Sequence, residues 1–230
     1  MTTYLVRHAQ TEYSTHYQVN GDPALPMPLT EDGVRACAAA RTRLPGRSVR
    51  TWVASGFPRA QQTATLLMSP PAPRLVTETQ LNELSYGSFE GGPFLAYADW
   101  LCRYGPRTRP PGAPESQREG IRRMLLGVRS ALALPAPRVL VAHGLLVSVL
   151  LWHRGRSPDE TLPLFFPEAG CLEPLIADDA RLSSWTAELL AEINSEDHGA
   201  PFRKGDCRIL RTDQGPQLAT FDLASRPPQE

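Results

Sequence analysis

The sequence predicts an α/β protein: a three-layer sandwich with a mainly parallel central sheet flanked by helices, carrying a C-terminal helix and β-hairpin appendage. Three observations point there. Apolar strand-like runs alternate with helical runs as far as about residue 178, the pattern of βα units wound on a parallel sheet. Two of those runs, Tyr4-Leu5-Val6-Arg7-His8 and Val139-Leu140-Val141-Ala142-His143, end in a histidine followed by a small residue, and open parallel sheets present their chemistry at that carboxyl rim. At 230 residues the chain suits one large domain with a sizeable core.

Residues 3–7 form the first strand, followed by a polar, proline-containing loop. Thr30 caps a helix that runs to about residue 44, with Glu31 and Asp32 in its first turn and Pro45-Gly46 stopping it. Residues 51–54 are the second strand. Pro58 sits in the first turn of the next helix, which reaches about residue 68. A short third strand covers 74–77, and a helix bearing Phe94, Tyr97 and Trp100 covers 94–104. The four prolines and two glycines between 105 and 114 mark an exposed connection. A long helix spans 116–134, with Ile121, Leu125, Val128 and Leu132 at helical spacing. Residues 138–142 are a strand, a helix follows Gly144, and 171–176 is a further strand. Beyond 178 the character changes: an amphipathic helix over 183–194, then strand-like runs at 207–212 and 217–223 around Asp213-Gln214-Gly215. These boundaries divide the chain into an α/β domain over 1–177 and an appendage over 178–230 packed on it as a lid, a structural cap or a homodimer contact.

Lys+Arg and Asp+Glu both total 24, so no global field draws nucleic acid or an anionic membrane, and any anion site must come from locally placed arginines. The four cysteines, without a C-x-x-C pair, argue against a zinc knot or disulfide framework and suit a reducing cytoplasm. The N-terminus enters a strand almost at once, without a signal peptide's pattern. The longest apolar run, 145–152, is too short to span a bilayer. A cytoplasmic location is expected.

Four segments carry chemistry. His8 with Arg7 offers a nucleophilic imidazole beside a guanidinium that binds phosphate bidentately, although a lone strand-end histidine is equally well explained by a bond to a carbonyl. Arg59 lies on the first turn of a helix entered from a small-residue turn, which adds backbone N–H groups at the same rim; in isolation it would read as a surface arginine. Glu83 stands between two leucines, where partial burial would raise its pKa and let it protonate a leaving alkoxide, with Glu90 competing for that role. His143-Gly144 ends the strongest strand, and as imidazolium His143 would neutralise equatorial phosphate oxygens. Metal binding is the rival for two histidines, but neither has a third ligand at ligand spacing.

In this order the segments resemble the histidine phosphatase superfamily, the phosphoglycerate-mutase-like group. Arg7-His8-Ala9-Gln10-Thr11 is similar to its Arg-His-Gly signature, Arg59-Ala60-Gln61-Gln62-Thr63-Ala64 to its second arginine motif, and 82–91 to its acid loop. Pro114-Glu115-Ser116 resembles the segment after the insertion, and His143-Gly144 the second histidine. The resemblance covers about residues 3–176. It implies His8 as phosphorylated nucleophile, Glu83 as proton donor, and Arg7, Arg59, His143 and Gly144 around the phosphate, with Ser14 where the family often has asparagine. Thr11, Gln18, Gly21 and Tyr86 would line the substrate pocket. No metal or organic cofactor is implied. Ala9 replaces the signature glycine and is expected to strain the turn, and Ser14, shorter than asparagine, is expected to lose a contact that Thr11 could replace.

The acid loop reads Leu84-Ser85-Tyr86-Gly87, without the Arg-His that mutases of the group carry. That favours a phosphatase for a small-molecule phosphate monoester over a mutase. A pseudoenzyme that merely binds a phosphorylated ligand is the reading from another class; binding needs neither nucleophile nor acid. There is no G-x-x-x-x-G-K-[ST] loop for ATP and no G-x-S-x-G elbow.

Overall fold

Alternation along the strands sends successive side chains to opposite faces of the sheet, and the computed structural model shows both faces covered. It describes residues 1–196 apart from residue 72, together with strands 209–212 and 215–218. The order is β1 (Thr2–Arg7), α1 (Glu12–Thr15), α2 (Glu31–Ala40), β2 (Thr51–Ala54), α3 (Pro58–Leu67), β3 (Leu75–Thr77), α4 (Phe94–Tyr104), α5 (Gln117–Leu132), β4 (Arg138–Ala142), α6 (Gly144–Gly155), β5 (Leu175–Asp178), α7 (Asp179–Glu196), β6 (Ile209–Thr212) and β7 (Gly215–Leu218). The main sheet runs β3-β2-β4-β1-β5. Its first four strands are parallel and β5 is antiparallel to β1. β6 and β7 pair separately as an antiparallel hairpin.

Leu5, Val53, Leu140 and Ala142 join one core with α5, α6 and α7. Val6, Trp52, Ala54, Val139 and Val141 join the other with α2 and α3. β4 lies centrally and is buried at every position, which is why it reads as an uninterrupted apolar run. At its start the buried Arg138 bonds Thr3 Oγ1 (2.9 Å), Asp179 Oδ1 (2.8 Å) and Leu134 O (2.6 Å). One charge thus ties β1, β4 and the first turn of α7. Thr30 caps α2 through Gly33 N, and Ser116 caps α5 in a reciprocal box with Glu119.

Two expectations are corrected. The strand placed at 171–176 lies at 175–178; Cys171 makes only an isolated bridge to Arg7, Leu172 has φ 62°, and Pro174 has no N–H to donate. The last long helix begins at Asp179 rather than 183, and its Leu182, Leu189, Leu190 and Ile193 belong to the main core. Cys37 and Cys171 are free thiols. Residues 207–208, 213–214 and 219–223 of the expected hairpin lie outside the described residues. Among the described residues no helix is long and apolar enough to cross a membrane.

Candidate active site

Parallel pairing sets the site. Arg7 is level with Ala142, and Ala54 with Val141, so His8, Ser55 and His143 follow their strands out at one rim. The ladder extends to them through His8 N–Ala142 O (2.9 Å) and Ser55 N–Val141 O (3.1 Å).

His8 is buried, with Nδ1 2.7 Å from the carbonyl of Ala9. A carbonyl only accepts, so Nδ1 carries the hydrogen and Nε2 keeps its lone pair. Arg59 Nε donates to that Nε2 at 3.0 Å. Burial, then the charges of Arg59 and Arg7, hold the imidazole pKa well below its usual value against the pull of the Ala9 carbonyl. The result is an oriented ring whose Nε2 lone pair faces Arg59.

His143 is fully buried, its ring centroid 5.3 Å from that of His8. Its Nδ1 accepts from Arg59 Nη2 (3.2 Å), which leaves Nε2–H to donate to Ser55 Oγ (2.7 Å). Burial and the neighbouring Arg59 and His8 push its pKa well down. Its hydrogen bonds and burial favour the neutral ring in this arrangement.

Arg59 is the hub. Besides both imidazoles it bonds Asn20 Oδ1 (2.6 Å) and Asn20 O (2.9 Å), and its guanidinium lies 4.3 Å above the Phe57 ring. Burial lowers its pKa to about 10, so it stays cationic at neutral pH. Pro58 at the start of α3 and the turn before it deliver this side chain inward. Arg7 extends the positive field: Nη1 bonds Glu168 (2.9 Å) and Ala169 O (2.6 Å), while Nε is buried without a partner. Gly144 packs beside Arg7, where a Cβ would make only ordinary van der Waals contact with Nε at 3.4 Å.

Glu83 Oε1 accepts from Leu84 N (2.9 Å). Burial raises its pKa, opposed by that bond and by the charges of Arg59, Arg7 and Arg123. Glu90, the rival, accepts instead from Gly21 N and Tyr86 N (both 2.7 Å) and serves as a clip between loops. Gly21 makes that clip feasible, because a Cβ would fall 1.9 Å from Leu84 O.

Among the remaining candidates, Gln18 Nε2 donates to Gly91 O (3.1 Å) and Gly21 N to Glu90, so both pin the early loop to the acid loop. Thr11 and Ser14 cap α1 reciprocally, with Ser14 Oγ donating to Thr11 O (2.8 Å). Tyr86 is buried edge-on against Tyr97. The expected strain at Ala9 is absent: its φ is not positive, it sits in the second core, and its N–H bonds Thr63 Oγ1 (3.0 Å).

Sequence reasoning missed Asn20, Ser55, Arg123 and Glu168. Asn20 is buried, with an Nδ2 that has no protein partner. Arg123 bonds the carbonyls of Gln80 (2.8 Å), Asn82 (2.8 Å) and Glu83 (3.2 Å) while forking onto Glu115 (2.7 and 2.9 Å). A polar residue just before Gly21 and a serine at a strand end were the available signals for the first two. Nothing local marks Arg123 among its arginine neighbours. Among the described residues no three His, Cys, Asp or Glu side chains gather as a metal-ligating group.

An α/β sheet whose rim brings two neutral imidazoles onto one buried guanidinium, with a carboxyl of raised pKa beside them, defines a phosphoryl-handling enzyme. The chain belongs to the histidine phosphatase superfamily (branch 1), whose family model matches residues 3–188. It is similar to a protein named "Probable phosphoglycerate mutase GpmB" from Yersinia enterocolitica, 30% identical over 159 residues that cover 66% of this chain and 73% of that protein. Among solved structures, TTHB049 from Thermus thermophilus is 26% identical with a TM-score of 0.58, covering 77% of this chain and 94% of that one. The mycobacterial glucosyl-3-phosphoglycerate phosphatase Rv2419c is 27% identical with a TM-score of 0.55, covering 66% and 80%.

Proposed function

We propose that the chain is a phosphatase that hydrolyses a small-molecule phosphate monoester through phosphohistidine at His8. The observation that carries the reading is the His8 tautomer: with Nδ1–H on the Ala9 carbonyl, the Nε2 lone pair is fixed between Arg59 and His143. His8 Nε2 attacks phosphorus, and the P–O bond to the alcohol breaks as Glu83 gives that oxygen its proton. Arg59 turns its N–H groups from the imidazoles to the phosphoryl oxygens, and Arg7 and the unpartnered Asn20 Nδ2 add donors. The dianion draws a proton onto His143, reversing the depression of its pKa. Glu83, now a carboxylate, takes a proton from water, which attacks phosphorus and releases His8 and inorganic phosphate.

The mutase reading has support in the GpmB-type relatives; against it stands an acid loop of Leu84-Ser85-Tyr86-Gly87. Hydrolysis of p-nitrophenyl phosphate tests the proposal: release by the wild type and loss of at least a thousandfold in His8→Ala are expected, on the scale of losing a nucleophile. Release that survives the substitution overturns the proposed nucleophile. Interconversion of 2- and 3-phosphoglycerate without net phosphate release would favour the mutase.

A further inference from the structure

Beside the phosphate cluster lies a cavity of about 290 Å³, lined by Arg7, Gln10, Ser14, Tyr17 and Glu168 with the 169–171 segment. It is contiguous with the chemistry through Arg7, whose charge bears on His8, His143 and Glu83. Its volume is at the lower end of small-ligand sites. We infer that this cavity receives the alcohol portion of the substrate, and that Glu168 selects an uncharged, hydroxyl-bearing alcohol over one that carries a carboxylate. The inference rests on the phosphatase reading and adds the substrate class.

The lining is polar and its donors and acceptors are unevenly committed. Gln10 Oε1 accepts from Thr30 Oγ1 (2.9 Å), which leaves its NH₂ to donate. Ser14 Oγ is engaged with Thr11. Tyr17 stands 69% exposed at φ 51°, an aromatic face free to lie along a small polyol or ring. Glu168 is 66% exposed and touches Arg7 through Oε1 alone, so its other oxygen can accept from a hydroxyl.

A carboxylate on the incoming alcohol would meet that acceptor-only group with no hydrogen to share. Arg7 offers little compensation, since its Nη1 is already bonded to Glu168 and Ala169 O and the phosphoryl group competes for the rest. Like-charge contact of this kind is a recognised source of discrimination.

The matched pair glycerol 3-phosphate and 3-phosphoglycerate differs only in a hydroxymethyl group against a carboxylate. Phosphate release from both, and from p-nitrophenyl phosphate, is measured for the wild type, His8→Ala and Glu168→Gln. The glutamine keeps an oxygen for Arg7 and removes the charge. The expected result is a wild-type kcat/KM at least tenfold higher for glycerol 3-phosphate, and a ratio that shrinks at least fivefold in Glu168→Gln. His8-dependent release with no preference for glycerol 3-phosphate, or a ratio unmoved by Glu168→Gln, overturns the role of Glu168 and leaves the phosphatase reading standing. Release from p-nitrophenyl phosphate that is absent, or indifferent to His8→Ala, overturns the phosphatase reading itself.

Discussion

At the scale of single residues, burial moves the titration of the site's groups away from where water would place it. His8 and His143 have pKa values pushed well below 6.5 by burial and by Arg59. The unfolded chain therefore binds more protons below pH 6.5 than the folded one. Stability present above that pH is lost as pH falls toward the folded values. Melting temperature is expected to drop between pH 7 and pH 5, and His143→Asn should flatten that drop; parallel profiles would contradict the neutral assignment. Glu83 has the opposite sign. Its carboxyl is raised above 4.5 by burial, so its contribution is present below 4.5 and lost as pH rises. Glu83→Gln is expected to melt higher than wild type at pH 7 while kcat falls about 10²–10⁴-fold, the worth of a positioned proton donor. A variant that is both less stable and fully active would remove Glu83 from the acid role.

At the scale of elements, the acid loop holds only one 3-10 turn of its own, Gly87–Phe89, and borrows order from α5. Arg123 fixes two of its carbonyls, that of Gln80 just before it, and Glu115 at once. Gly127 and Gly120 let that helix come close, since a Cβ at either would fall under 3.0 Å from Gln80 or Leu84. Arg123→Ala leaves a partly buried Glu115 without its partner, so a loss of roughly 2–4 kcal/mol is expected by chemical denaturation. Because Glu83 then moves, kcat should fall more than KM rises, with Arg123→Lys recovering part of both. An unchanged kcat would make the clamp irrelevant to catalysis.

Much of this scale was legible in the sequence. β2, α4 and β4 fall where apolar runs and turn residues place them, because local propensity and burial agree there. The stretch before β5 was not legible, since Leu172 and Pro174 hide their backbone behaviour behind strand-like composition. The clamp was not either: an arginine's long-range carbonyl partners leave no periodic trace.

At the scale of the whole molecule, the parallel order β2-β4-β1 is what makes distant residues meet. His8, Arg59 and His143 are dispersed along the chain, and their resemblance to one family was readable; their joining by Arg59, and Asn20 beneath it, required the fold. α7 shares the main core, and Arg138 with Asp179 ties its start to β1 and β4. The sheet thus carries His8, Ser55 and His143 to one rim, with the loops of 82–91 and 168–171 packed around them.

The most direct test is rapid quench of the wild type during turnover of p-nitrophenyl phosphate, followed by mapping of protein-bound phosphate by mass spectrometry under alkaline conditions. The account predicts an acid-labile phosphoryl group on the His8 peptide, absent from His8→Ala. Phosphate on any other residue, or steady turnover with no phosphorylated protein at any time point, would contradict it.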